Sequence, residues 1–207
     1  MMKRRTFICA MVGLPAGLAL GACASDQPIP SPVAQVGFQH LPTIRLNVAD
    51  VRMRSEYKSP LKAPNVEHLF ATPPEHALLD WADTRLIAAP GAGTQAIAEF
   101  VVEDAHVIET KLPKTEGLKG MFTYEPTERF DARVDARLEI SGGADGATGQ
   151  VRVTSERSIE VSENATLAER EQAWMELLER LMADFNAQMD TEIQGYLARW
   201  LETPGLK

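Results

Sequence analysis

Cysteine is nearly absent from this chain. There are two, Cys9 and Cys23, and both lie near the start. The part that folds therefore has no disulfide and no thiolate for a metal, so its stability rests on its core. Histidine is scarce as well, with four in 207 residues. His40, His68, His76 and His106 match no helical metal pair such as H-E-x-x-H, although Glu67-His68 and Glu75-His76 repeat one dipeptide. No Ser sits in a G-x-S-x-G elbow. Gly91-Ala92-Gly93 lacks the third glycine of a dinucleotide fingerprint and precedes a strand pattern, not a helix. The carboxylates fall mostly on alternating strand faces and helix exteriors, where solvation accounts for them. These gaps lead us to expect no catalytic residue, no metal and no cofactor.

Positive charge is the minority, with 21 basic residues against 29 acidic ones and a net charge of −8. Phosphate binding needs clustered Lys and Arg, so nucleic acid is not an expected partner. Adsorption to anionic lipid is disfavoured for the same reason. Nor is there a run long enough to span a bilayer: residues 7–20 are apolar or small, which is too short.

That short run is nevertheless the most informative stretch. Lys3, Arg4 and Arg5 precede it, and Leu20-Gly21-Ala22-Cys23 closes it. This is the order of a secretory signal: a basic start, an apolar stretch and a small-residue cleavage site. The closing four residues resemble the lipobox of bacterial lipoproteins. The resemblance implies that the Cys23 sulfur takes a diacylglyceryl group, with palmitate-type chains, and that cleavage falls between Ala22 and Cys23. Removal of the signal leaves 18 basic and 29 acidic residues, a net charge of −11. Attachment to the membrane must then be through the acyl chains, since one chain holds marginally and two or more hold durably. Ala24 follows the cysteine. In the best-known lipoprotein sorting system an Asp there retains a protein in the inner membrane, so the resemblance implies the periplasmic face of the outer membrane. Arg4-Arg5-Thr6-Phe7-Ile8 also resembles a twin-arginine export signal, and either export route fits.

The chain divides into a signal peptide at 1–22, an anchor and tether at 23–40 and a single domain at 41–207. The tether holds Pro28, Pro30 and Pro32 and little apolar pattern. Residues 44–48 and 51–54 each alternate apolar with polar, on opposite parities, and a bulge near Ala49-Asp50 would join them as one strand. Thr72-Pro73-Pro74-Glu75 reads as a capping box that opens a helix, with Leu86 and Ile87 still in its period and Pro90-Gly91 as the stop. Residues 96–108 read as a second strand. Phe130, Ala132, Val134, Ala136, Leu138 and Ile140 alternate with charged residues, giving a third strand with one wet face. Val151, Val153, Ile159 and Val161 mark a fourth, and the last three strands form an antiparallel meander.

Thr166 and Glu169 form a second capping box. Behind them Leu167, Trp174, Leu178, Leu181, Phe185, Met189, Ile193, Tyr196 and Trp200 make one stripe on a helix of ~36 residues, or ~54 Å. A four-stranded sheet should not cover all of that, so the end at Trp200 either overhangs or folds onto the core, with Gly195 bending the helix there or marking the edge of the packed part.

The class expected is α+β: a two-layer sandwich, a four-stranded mixed sheet with two helices on one face, in the order β-α-β-β-β-α. That order, with the lipobox, resembles small envelope lipoproteins of the lipopolysaccharide-assembly and transporter-auxiliary types. The resemblance implies a non-enzymatic accessory role with an envelope protein or lipid as partner. A small-ligand or metal module and an unrecognised hydrolase are the alternatives. Two long apolar loops, 58–71 and 111–128, either fold back over sheet edges or form a docking surface. Phe70, Met121, Phe122, Tyr124 and Trp200 are the candidate docking residues.

Overall fold

The computed structural model describes residues 36–91, 94–113, 126–143, 146–162 and 164–202. The signal segment, Cys23 and most of the tether lie outside this range, as do Met121, Phe122 and Tyr124.

The domain is α+β, with a mixed five-stranded sheet. The strands are β1 (Ile44–Leu46), β2 (Asp50–Ser55), β3 (Leu86–Ala88), β4 (Ile97–Asp104), β5 (Val107–Lys111), β6 (Pro126–Ser141) and β7 (Gly149–Ser162). The helices are α1 (Pro74–Arg85) and α2 (Leu167–Tyr196). β6 is the spine. β4 and β5 lie end to end along one side of it, both antiparallel, and β7 runs antiparallel along the other. β2 pairs parallel with β4. The sheet has five strands and not four because the expected second strand breaks at Ala105-His106 into β4 and β5. Both halves stay on the same side of β6.

The expected bulge at Ala49-Asp50 is a change of sheet. β1 pairs parallel with β3 as a separate two-stranded sheet, and β2 joins the main one. The opposite parities of 44–48 and 51–54 reflect two different faces. β3 also accounts for the early end of α1. Leu86 leaves the helix at φ −93°, ψ 115° and pairs with Ile44, so Leu86 and Ile87 are strand, not helix.

The start of α1 differs too. Pro74 forces the residue before it out of the helical region, so Pro73 becomes the N-cap at φ −58°, ψ 144°. Thr72 is then one residue too early to cap, and no side-chain cap forms. At α2 the capping box is complete: Thr166 Oγ1 accepts from the Glu169 N–H at 3.2 Å, and the Glu169 carboxylate accepts from the Thr166 N–H at 2.7 Å.

α2 packs on the inner face of β6 and β7. Trp174, Leu178, Leu181, Phe185, Met189 and Ile193 are all buried, as the stripe requires. Leu167 and Tyr196, at its two ends, are exposed. Two aromatic clusters pin the helix. Phe185 meets Trp81 edge-on at 5.2 Å, and Phe100 lies 5.6 Å from Trp81. Toward the helix start Trp174 stacks on Phe70 at 4.9 Å and meets Phe130 edge-on at 5.5 Å.

The overhang does not occur. α2 stops at Tyr196, and a short 3-10 turn, Ala198–Trp200, folds the chain back. Trp200 is 8% exposed, its carbonyl accepts from the Asn47 N–H at 2.6 Å, and Leu201 bridges to Leu46. Its ring lies over Gly149: a Cβ built there would come within 2.4 Å of it. Phe185→Ala and Trp200→Ala should therefore both destabilise the domain by about 3–5 kcal/mol, the cost of truncating a buried aromatic. Thermal melts of the two variants check this, and an unchanged midpoint for Trp200→Ala would contradict its place in the core.

Candidate functional site

The loop 58–71 lies against the free edge of β5. Val66 N–H donates to the Val107 carbonyl at 3.0 Å, and Glu109 N–H to the Pro64 carbonyl at 2.9 Å. Asn65 bridges to Ile108. Glu67, 2% exposed, ties the loop down. It accepts from Tyr57 Oη at 2.7 Å, Ser59 Oγ at 2.5 Å and the Val107 N–H at 3.2 Å. Burial pushes the Glu67 carboxyl up, but the hydrogen bonds from Ser59, Tyr57 and Val107 outweigh it and hold the group below its ordinary value. Burial, with Glu67 as neighbour, raises the Tyr57 phenol. This loop covers an edge. Phe70 is buried against Trp174, so it is a core residue and not a docking residue, and Trp200 is corrected likewise. Of this loop only Leu61 and Leu69 are large apolar groups left exposed.

The outer face of the sheet carries an ion-pair lattice that crosses four strands. Arg54 pairs with Glu99 at 3.0 Å and with Glu56. Arg137 joins Glu103, Glu139 at 2.9 Å and Glu56 at 3.5 Å. Arg152 reaches Asp135 at 3.2 Å as well as Glu103. Arg133 reaches Glu156 and Asp104. Burial lowers the Arg137 pKa, and the bonds to Glu56 and Glu139 more than restore it. Each arginine is engaged by carboxylates, so the face has no array of free cations to offer an anion. His106 sits 2.8 Å from Asp104, while His40 and His76 are exposed and His68 is half-buried. Among the described residues no three His, Cys, Asp or Glu come together as a metal cage.

The third surface lies between β7 and α2. The inward row of β7 is Val151, Val153, Ser155, Arg157, Ile159 and Val161. Ser155 and Arg157 interrupt an otherwise apolar row. Ser155 accepts from Gln188 Nε2 at 3.2 Å, and Arg157 pairs with Asp184 at 2.5 Å. Ser155 is itself buried, whereas the Arg157 side chain is half-exposed at the edge. A cavity of about 810 Å³ reaches from there onto the outer face of the sheet, lined by Leu177, Arg180, Ala183 and Asp184 of α2, by Arg157 and Ile159, and on the outer face by His106, Arg129, Asp131, Arg133, Glu156 and Ser158. It wraps the edge of β7, because residues of both sheet faces line it. A second cavity of about 360 Å³ continues the groove past Arg152–Thr154, with Ala187 and Thr191 as its α2 wall. Sequence patterning missed this groove. Its signal was the break of the inward Val and Ile alternation at Ser155 and Arg157.

The chain matches no protein-family model and no curated protein sequence. Among solved structures it is similar to a DUF330-family protein from Xanthomonas campestris, at 11% identity and a TM-score of 0.35, covering 79% of this chain and 93% of that one. It is similar to a minor lipoprotein from Acinetobacter baumannii at 12% identity and 0.32, covering 77% and 99%. It is also similar to the rare lipoprotein B from Shewanella oneidensis at 7% identity and 0.28, covering 69% and 97%. At these TM-scores the similarities carry no functional argument.

The Glu67 tie makes a prediction with a sign. Its folded pKa lies below the unfolded value, so its contribution is complete above about pH 4.3 and is lost as pH falls through the depressed folded value. Glu67→Gln should cost roughly 1–3 kcal/mol at neutral pH. The gap to wild type should narrow in acid, since only the wild type loses this term. Denaturant titrations at several pH values read it out, and a gap that stays constant into the acid range would refute the assignment.

Proposed function

We propose that the chain is a lipid-anchored envelope protein with a non-enzymatic accessory role, in assembly or transport, exercised by binding a protein or lipid. One observation carries the reading: a basic start, an apolar stretch and Leu20-Gly21-Ala22-Cys23 fall in register. In this reading the acyl chains on Cys23 are the membrane contact, the domain stands in the periplasm, and the outer membrane is the destination. The anchoring is consistent with the rest of the chain, since no helix among the described residues is long and apolar enough to cross a membrane. The accessory role is consistent with the sheet's outer face, a broad ion-pair lattice across four strands.

Cys23→Ser decides the anchor. The variant should lose metabolic labelling with palmitate and should leave the membrane fraction. Labelling that survives the change would overturn the lipoprotein reading. Density-gradient fractionation of the wild type addresses the destination: it should sediment with outer-membrane vesicles, and recovery with inner-membrane vesicles would overturn that part alone.

A further inference from the structure

The geometry points to a twofold, antiparallel pairing of β7 with β7 of a second copy of this chain. Among the described residues β7 pairs only with β6, so one edge of a 14-residue strand is open. The other edges are managed: loop 58–71 covers β5, and β2 has only six residues. The open edge of β7 has no proline, no bulge beside residues 128–140 and no covering loop among the described residues.

The direction of its free groups follows from β6. Arg133 N–H donates to the His106 carbonyl at 3.0 Å, away from β7. Glu156, opposite Arg133, must then direct its own N–H and carbonyl away from β6, into the open edge. Residues 152, 154, 158 and 160 do the same by alternation. An antiparallel strand added there with Glu156 on the twofold axis sets Arg152 opposite Glu160 of the second copy, and Thr154 opposite Ser158 of the second copy, each twice. On the inner face it sets Val153 opposite Ile159, and Val151 opposite Val161. Unlike charges meet on the outer face; on the inner face the valines already lie buried under α2 of their own copy, so the backbone ladder and the charge pairs carry the contact. The cost is two like-charge contacts, Glu156 opposite its copy and Arg157 diagonal to its copy; each Glu156 already holds its own Arg133 and each Arg157 its own Asp184.

Cysteine cross-linking of the full chain tests both the pairing and the register. Directly opposed residues in such a pair lie about 5.5 Å apart at Cα, within disulfide reach. Glu156→Cys should cross-link to itself. Thr154→Cys and Ser158→Cys should fail singly, because like positions are then four residues or ~13 Å out of register. Mixed, the two should cross-link, with Glu156 still in place. Wild type is the blank. Folded variants that give no dimer at residue 156 would overturn the proposal, and so would self-linking at 154 without linking at 156.

Discussion

The apolar stripe of α2 has to be covered along its whole length, and only strands of comparable reach can do that. Thirty residues of helix rise ~45 Å at ~1.5 Å each. Fourteen residues of β7 extend ~46 Å at ~3.3 Å each, and the sixteen of β6 reach further. The β6-β7 pair therefore spans the helix from the Trp174 cluster to Ile193. The remaining elements are placed by what this layer leaves open. α1 closes the flank by inserting Trp81 between Phe100 and Phe185. The turn at Ala198–Trp200 closes the far end over Gly149. With no disulfide available in the folded part, these aromatic locks at both halves of α2 are the long-range ties.

The ends of the sheet show two different treatments of the same problem. At β5 the chain spends a loop and a buried carboxylate: Glu67 gathers Tyr57, Ser59 and a strand N–H, and so holds the apolar residues Val66 and Phe70 inward. At the opposite end of α1 a buried arginine does comparable work. Arg85, 2% exposed, donates to Asn186 at 2.7 Å and Asp190 at 2.6 Å, so it fixes α1 against α2 near the helix end. Removing either partner would strand a buried charge, which costs more than the pair contributes. Neither device stands at β7.

The parts of the fold legible in the sequence were those set by local chemistry. The alternation from Phe130 to Ile140 placed β6, Thr166 and Glu169 placed the start of α2, and the stripe from Trp174 to Ile193 placed its buried face. What could not be read depended on partners remote in sequence. Nothing local tells Leu86 to leave a helical period; its ladder with Ile44 does. Gly195 was a local hint of the end of α2 at Tyr196, but only the seat for Trp200 between Asn47 and Gly149 folds the chain back there. The capping error at Thr72 was different in kind, because the restriction that Pro74 places on Pro73 was present in the sequence. The groove was legible only as a fault in a pattern, at Ser155 and Arg157, and the small α2 residues facing it, Ala183 and Ala187, carry no motif.

Arg157 is the residue on which the character of the β7 edge turns. An inward-pointing charge on an edge strand ordinarily blocks pairing, because a newcomer would have to bury it. Here Asp184 on α2 already neutralises the guanidinium and holds it along the groove wall. A strand arriving at the edge meets an ion pair, not a lone charge, and Ser155 beside it offers a hydroxyl at the opposed position. That contact removes the usual barrier to pairing there. The combination found in this chain leaves the edge accessible with its inward charge already paired, in a domain whose short β5 edge is covered by the loop 58–71.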